Sequence, residues 1–506
     1  MGRYTRFVTA GPRLLYPLVF VAGATTMSTE MTASRLLAPF FGASILVWAN
    51  IIGLILVYLC AGYFLGGRLA DRHPHMPYLA RLLLIAAAAV AATPFLAKPL
   101  LDVAVGAFAD ASVGAFLGSF FAAMLIFSVP ITLLGMASPF AVRLGVTSVE
   151  KAGEVAGRMY ALSTAGSIVG TFVPVAVLIP AIGTRRTMLA SAALLALVAA
   201  PGLGRRYLVA PAAIAALALL PPGLVKPGTG VIYEGESPYQ FIQVVQRSDG
   251  SRVLHLNEGW ADHSVWRPGQ VLTGGYWDHF LLAPLLHGGS GLHSLAMIGY
   301  AGGTVGRGYG VYWPEVSVLG IELDGDVTAA GRRYLGLGDN PRVRVATADG
   351  RTYLEQTDAR YDAIFLDAFR QPYIPFYLTT QEFWSLARQR LAAGGMVMAN
   401  VGRVPGDDRL PDAITGTMAT RFASVYEWPV GGYNVVVAGF SSPVSRADLV
   451  ARLGLAPADL SAVRDAAVGM TAVAPSSDPL TDDRAPVEWL TDQMIVRYAV
   501  AGGTGR

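Results

Sequence analysis

Ser294-Leu295-Ala296-Met297-Ile298-Gly299-Tyr300-Ala301-Gly302-Gly303-Thr304 is the stretch on which the fold of the C-terminal half turns. A short, mostly apolar run leads straight into a turn of small residues. Such a run suits a strand buried on both faces. The small residues after it let the backbone approach a ligand closely. Further strands are predicted at Val316–Ile321, Val343–Ala346, Ala363–Leu366 and Met396–Asn400. Helical patterns such as Asp326–Tyr334 and Thr380–Leu391 lie between them. This alternation predicts an α/β domain whose parallel sheet has right-handed crossovers. Ligands of such sheets bind at the carboxyl ends of the strands.

Each of those ends carries a candidate ligand group. The first is the turn containing Gly299 and Gly302. The second is Glu322, in Ile321-Glu322-Leu323-Asp324. An acid there can accept from two ribose hydroxyls, and it stands about 20 residues after the glycines, the spacing of dinucleotide folds. The third is Asp349-Gly350 and the fourth Asp367, in Leu366-Asp367-Ala368-Phe369. Gly299, Ala301 and Thr304 do not complete the G-x-G-x-x-G register, and a ring of carboxylates repels a pyrophosphate. Both points argue against NAD and for a cationic ligand, such as a sulfonium nucleoside carrying an amine. Upstream, Phe241–Gln246 and Arg252–Leu256, joined by Arg247-Ser248-Asp249-Gly250, predict a small antiparallel sheet. The expected bounds are residues 227–272 for this β-subdomain and 273–506 for the main domain.

Before Lys226 the composition changes. Up to that residue there are 16 Lys+Arg against 6 Asp+Glu; beyond it, 22 against 29. Only 14% of the chain is charged, against about 25% in an ordinary soluble protein. Basic charge confined to the apolar half fits Arg-flanked helices and argues against a nucleic-acid partner. Cys60, the only cysteine, lies in an apolar run. Seven stretches approach the roughly 20 apolar residues a membrane span needs: Leu14–Leu37, Ile45–Leu65, Tyr78–Ala97, Val113–Ala137, Tyr160–Ile182, Thr187–Leu203 and Tyr207–Val225. Residues 1–226 are therefore expected to form a multi-pass transmembrane bundle in a bacterial-type plasma membrane, with the lipid bilayer as partner. Arg3, Arg6, Arg13, Arg68, Arg72, Arg81, Arg143, Lys151, Arg158, Arg205 and Arg206 fall on one side, Lys98, Arg185, Arg186 and Lys226 on the other. That imbalance puts the N-terminus in the cytoplasm. Seven spans would then leave the C-terminal domain outside, unless Tyr207–Val225, with Pro211, Pro221 and Pro222, is re-entrant.

The soluble half resembles the spermidine synthase (polyamine aminopropyltransferase) family, and the whole chain resembles its membrane-anchored bacterial members. The resemblance implies a class I methyltransferase-like (Rossmann-like) sheet behind a small N-terminal β-subdomain. It implies transfer of an aminopropyl group from decarboxylated S-adenosylmethionine to a small amine such as putrescine, releasing methylthioadenosine. No metal is needed, because the sulfonium is already an activated leaving group. By the same resemblance Gln240 contacts the nucleoside, Glu322 the ribose and Asp349 the adenine amine, while Gly299, Gly302 and Gly350 line the donor. Asp367 and Tyr276 are the catalytic pair. Asp278, His263 and Arg370 border the substrate. Because that donor is a cytoplasmic metabolite, the catalytic domain is expected in the cytoplasm. A second copy of the chain is a further expected partner.

Departures from the family pattern keep two other readings open. Gly302 stands where the family carries an Asp, Arg370 where another Asp grips a diamine, and His263 where a glutamine is common. An S-adenosylmethionine-dependent methyltransferase would use the same Glu322 and Asp349. A membrane transporter or sensor with a nucleoside-binding domain would account for Glu30 and Arg35 in the first apolar stretch, since charges in lipid cost about 2.5 kcal/mol or more each.

Overall fold

The chain divides into two units, Met1–Lys226 and Pro227–Arg506. The computed structural model describes residues 12–41, 45–108, 114–221, 225–257, 261–288, 291–369 and 373–500.

The first unit is helical. Among the described residues, four helical segments are long and apolar enough to cross a membrane: Val47–Arg72, Met76–Val103, Gly118–Gly145 and Val149–Gly202. The last has 54 residues, about 80 Å of helix against a hydrocarbon core of about 30 Å. Gly183 breaks it with φ +80° and ψ 166°, so it accommodates both Tyr160–Ile182 and Thr187–Leu203. The first expected stretch forms the helix Pro12–Phe41 but is not among the four. Its buried face carries Thr25, Ser28, Thr29 and Thr32. These hydroxyls are satisfied: Thr29 donates to the Thr25 carbonyl at 2.7 Å, and Ser28 shares a hydrogen bond with Ser191 at 2.7 Å. The helix meets Ala152–Val173 backbone to backbone. A Cβ on Gly166 or Gly170 would fall within about 2 Å of the Phe20 or Ala24 carbonyl oxygen, which is the close approach that small residues permit between membrane helices.

The seventh expected stretch is short in helix. Among its described residues, Tyr207–Val225 holds the end of the 3-10 turn Arg205–Leu208 and the α-helix Val209–Leu217, the latter nine residues long, or about 14 Å. Residues 222–224 lie outside the described set. Arg185 closes this helix, donating to the Leu217 carbonyl at 3.3 Å and the Pro221 carbonyl at 2.9 Å. A cation there satisfies orphan carbonyls and complements the helix dipole.

The second unit opens with an antiparallel sheet in chain order: β1 (Val231–Glu236), β2 (Phe241–Gln246), β3 (Arg252–Leu256) and β4 (Ser264–Trp266). Ile242, Val244, Leu254 and Leu256 pack it onto Val327, Ala330 and Leu335 of the helix Gly325–Tyr334 and its end. The main sheet comprises β5 (Ser294–Ile298), β6 (Ser317–Glu322), β7 (Val343–Thr347), β8 (Tyr361–Leu366), β9 (Leu391–Gly402), β10 (Ser424–Val430), β11 (Asn434–Phe440) and β12 (Thr471–Ala472). Their spatial order is β12-β10-β11-β9-β8-β5-β6-β7. The five strands from β9 to β7 are parallel; β11 and β10 are antiparallel. This is a class I methyltransferase-like, Rossmann-like sheet. Along β5, Leu295 and Met297 enter one core with Phe280 and Trp428, while Ala296 and Ile298 enter the other with Phe383 and Trp384. That alternation is the period-2 geometry of a strand. Because both faces are covered, the strand reads as unbroken apolar sequence.

Candidate active site

Register assembles the site. Ile298 of β5 pairs with Ile321 of β6 and with Leu366 of β8. One residue further on, Gly299, Glu322 and Asp367 therefore emerge side by side. β5 is also where the winding of the sheet reverses, since β6 lies on one side and β8 on the other; such switch points open the ligand crevice.

Gly299 has φ +80°, and a Cβ there would lie 2.4 Å from the Asp367 carbonyl oxygen and 2.6 Å from the Ala368 Cα. Only glycine lets the strand ends come this close. Gly350 is tight for a different reason, since its Cβ would meet Ile298 Cγ2 at 2.2 Å. Gly302 faces away from open space. Its N–H donates to Ser264 Oγ at 2.8 Å, and the path of a side chain is filled by Leu335 and Ser264. The acid that the family carries at this position has no room here.

Glu322 accepts from the Ala301 N–H at 2.8 Å and the Asp324 N–H at 3.0 Å. It is 8% exposed, and burial pushes its carboxyl up to about 7 despite those two donors. Asp324, passed over in the sequence, ties the small sheet to this strand end. It accepts from Ser237 Oγ at 2.6 Å and from Gln240 Nε2 at 3.2 Å, and it caps the helix Gly325–Tyr334 through the Asp326 N–H. Gln240 is thereby held beside the Glu322 end. Asp349 caps the helix Gly350–Gln356 through Thr352 N–H at 2.9 Å. Its other oxygen accepts from the Tyr377 hydroxyl at 2.9 Å, which brings the 373–380 segment to this acid.

Asp367 is the most perturbed acid of the group. The Tyr276 phenol adjoins it and favours its ionised form, and Asn400 Nδ2 donates to Oδ1 at 3.1 Å. Burial nevertheless pushes the carboxyl up to about 7. Burial and the Asp367 carboxylate drive the Tyr276 phenol well above its ordinary 10. The phenol ring lies against Trp277, with centroids 4.4 Å apart. The structure brings Tyr276 and Asp367 together and sets Asn400 beside them.

Asp278 is 4% exposed, and its oxygens accept from Thr273 N–H, Gly274 N–H and Thr273 Oγ1 at 2.7–3.0 Å. It holds the turn that presents Tyr276 rather than a free face to a ligand. Burial keeps the His263 imidazole neutral, down at about 4, and its Nε2 has no partner among the described residues. The adjacent Asp262 is ionised and gripped by Arg247 at 2.8 Å and His255 at 3.0 Å. Arg370 lies outside the described residues.

No family model matches the chain. It is 32% identical over 198 residues to a probable polyamine aminopropyl transferase of Bifidobacterium longum, covering 39% of this chain and 43% of that protein. It is 30% identical over 139 residues to a polyamine aminopropyltransferase of Vibrio vulnificus, covering 27% of this chain and 46% of that one. The chain thus spans less than half the length of these two curated relatives. Among solved structures it is similar to a probable spermidine synthase from Corynebacterium glutamicum, with TM-score 0.39 and 21% identity over 51% of this chain and 99% of that one. Over the matched stretches the chain is similar in sequence to these polyamine aminopropyltransferases.

Proposed function

We propose that this chain is a membrane-bound aminopropyltransferase. Decarboxylated S-adenosylmethionine is the donor, and a small amine of the putrescine class is the acceptor. The observation that carries this reading is the joined Tyr276–Asp367–Asn400 group at the switch point of the sheet, one strand from Glu322. In the reaction the lone pair of a neutral amine attacks the methylene bonded to sulfur. An N–C bond forms, and the electrons of the C–S bond return to sulfur. Methylthioadenosine leaves uncharged. The proton released by the new ammonium passes to the Asp367 carboxylate. A free amine has its pKa near 10, so a buried base beside it keeps the nucleophile neutral and in line. Gln240, Glu322 and Asp349 hold the nucleoside, and Tyr276 covers the reacting atoms.

The proposed organisation is a helical membrane unit over residues 1–226, a β-subdomain over 227–272 and a catalytic domain over 273–506. With Tyr207–Val225 removed from the expected spans, six remain. An even number returns the catalytic domain to the cytoplasmic side, where the donor is made.

Incubating the full chain in detergent with decarboxylated or intact S-adenosylmethionine and a panel of amines, read by mass spectrometry, tests the reading. Acceptors gain an aminopropyl unit. A methyl adduct without any aminopropyl product overturns the proposal in favour of a methyltransferase.

A further inference from the structure

Asn400 stands near the end of β9, beside Asp367. Ala399 pairs with Leu366, so the next residues along the two strands, Asn400 and Asp367, are neighbours. β9 continues past that point because the antiparallel β11 supports its far side, pairing Asn400 with Val436 and Val401 with Val435. The Asn400 backbone is therefore fixed by a strand that takes no part in the parallel ligand edge. Its side chain is 3% exposed. Nδ2 donates to Asp367 Oδ1 at 3.1 Å and lies within hydrogen-bond reach of the Tyr276 phenol. Oδ1 has no partner among the described residues. Turning the amide over would aim Oδ1 at a carboxylate, so the orientation is fixed by Asp367. A buried amide oxygen left without a donor is unfavourable. The site tolerates it in order to keep an N–H on Asp367.

We propose that Asn400 is a positioning residue of the reaction, whose amide, braced by the β9–β11 pairing, holds the Asp367 carboxylate ionised and aimed at the nucleophile. The identity of that nucleophile rests on the aminopropyl-transfer reading; the control of Asp367 does not. A buried carboxylate favours its protonated form, and a protonated Asp367 cannot accept a proton. The Asn400 amide and the Tyr276 phenol oppose this. Hydrogen bonds to the charged form lower a carboxyl pKa.

Two readouts on the full chain test the proposal. The first is the pH dependence of kcat/KM in wild type, Asn400→Leu and Asn400→Asp. The second needs no turnover: calorimetric affinities for the cationic donor and for uncharged methylthioadenosine, whose ratio, compared between wild type and variant so that the Glu322 charge common to both cancels, reports the change in charge on Asp367. In Asn400→Leu both midpoints move up by about one pH unit or more. Asn400→Asp, similar in volume, moves them further because two adjacent carboxylates resist joint ionisation. Circular dichroism identifies any variant that fails to fold, and the other variant then carries the test. Variants that titrate at the wild-type pH overturn the proposal. If wild type shows the charge-dependent affinity ratio but no aminopropyl transfer, the function reading fails while the role of Asn400 stands.

Discussion

Replacing Asp367 with Asn is the most direct perturbation of the proposed chemistry. The substitution keeps volume and one oxygen that Tyr276 or Asn400 can bond, so the two cores that meet at β8 are undisturbed. It removes the proton acceptor. In the wild type that acceptor sits at about 7 because of burial. The active form is the ionised one, so activity rises with pH. With a midpoint near 7, about one carboxyl in ten is ionised at pH 6 and about nine in ten at pH 8. At fixed free-base amine, kcat/KM for the donor should climb roughly tenfold across that interval and then level off. A bound sulfonium lowers the midpoint, which is why the free-enzyme quantity is the one to measure. In Asp367→Asn the rate should fall by about a hundredfold to ten-thousandfold, a barrier increase of about 3 to 5 kcal/mol. Methylthioadenosine, which carries no charge for Asp367 to meet, should bind about as well as in wild type. A variant that keeps more than about a tenth of the activity and the same pH profile would refute Asp367 as the base.

Three further outcomes follow from other parts of the structure. Gly299→Ala places a Cβ 2.4 Å from the Asp367 carbonyl at φ +80°, so unfolding of the full chain in detergent should show a loss of about 2–4 kcal/mol; a change below about half a kcal/mol would mean that the strand ends separate freely. Glu322 has a folded value of about 7 against an ordinary 4.5, so the folded chain retains the proton longer. Its contribution to stability is then full below about 4.5 and declines by up to about 3 kcal/mol as pH rises through 7; thermal melts of Glu322→Gln should show a shallower decline over that window, and an unchanged slope would remove Glu322 as its source. A reporter fused after Arg506 should be active on the cytoplasmic side, and an exported signal would restore an odd number of spans.

The parts of this fold that were legible in sequence are those where one physical demand acts alone. Residues 295–298 and 363–366 are buried on both faces, so no polar residue interrupts them and the strands announce themselves. The turn Val430-Gly431-Gly432-Tyr433, with Gly431 at φ +59°, carried a hairpin signal between β10 and β11 that the apolar-run criterion passed over. β4 had no such signal. It is three residues long, and it exists because Ser264 and Val265 meet the glycine turn through Gly302 and Thr304. Hydropathy likewise counted Tyr207–Val225 as a span because composition sums over a window, whereas the helix stops at Leu217.

The site divides along the same line. Strand ends project toward the ligand edge whatever their side chain, so the rule that singled out Glu322, Asp349 and Asp367 applied equally to Asn400, which closes the predicted strand Met396–Asn400. It was passed over because it carries no charge. Asp278 shows the converse. The resemblance made it a substrate contact, yet its oxygens are taken up by the Thr273–Gly274 turn. Whether a carboxylate is free depends on backbone donors a few residues away, and those depend on turn geometry that composition does not encode. Asp367 is consequential for the opposite reason. Among the described residues its partners are side chains, the Asn400 amide and the Tyr276 phenol. Its hydrogen bonds can therefore be removed one at a time by substitution, while most of those to Asp278 come from the backbone. A strand end whose acid is held by side chains alone is a place where chemistry can be tuned without refolding the sheet.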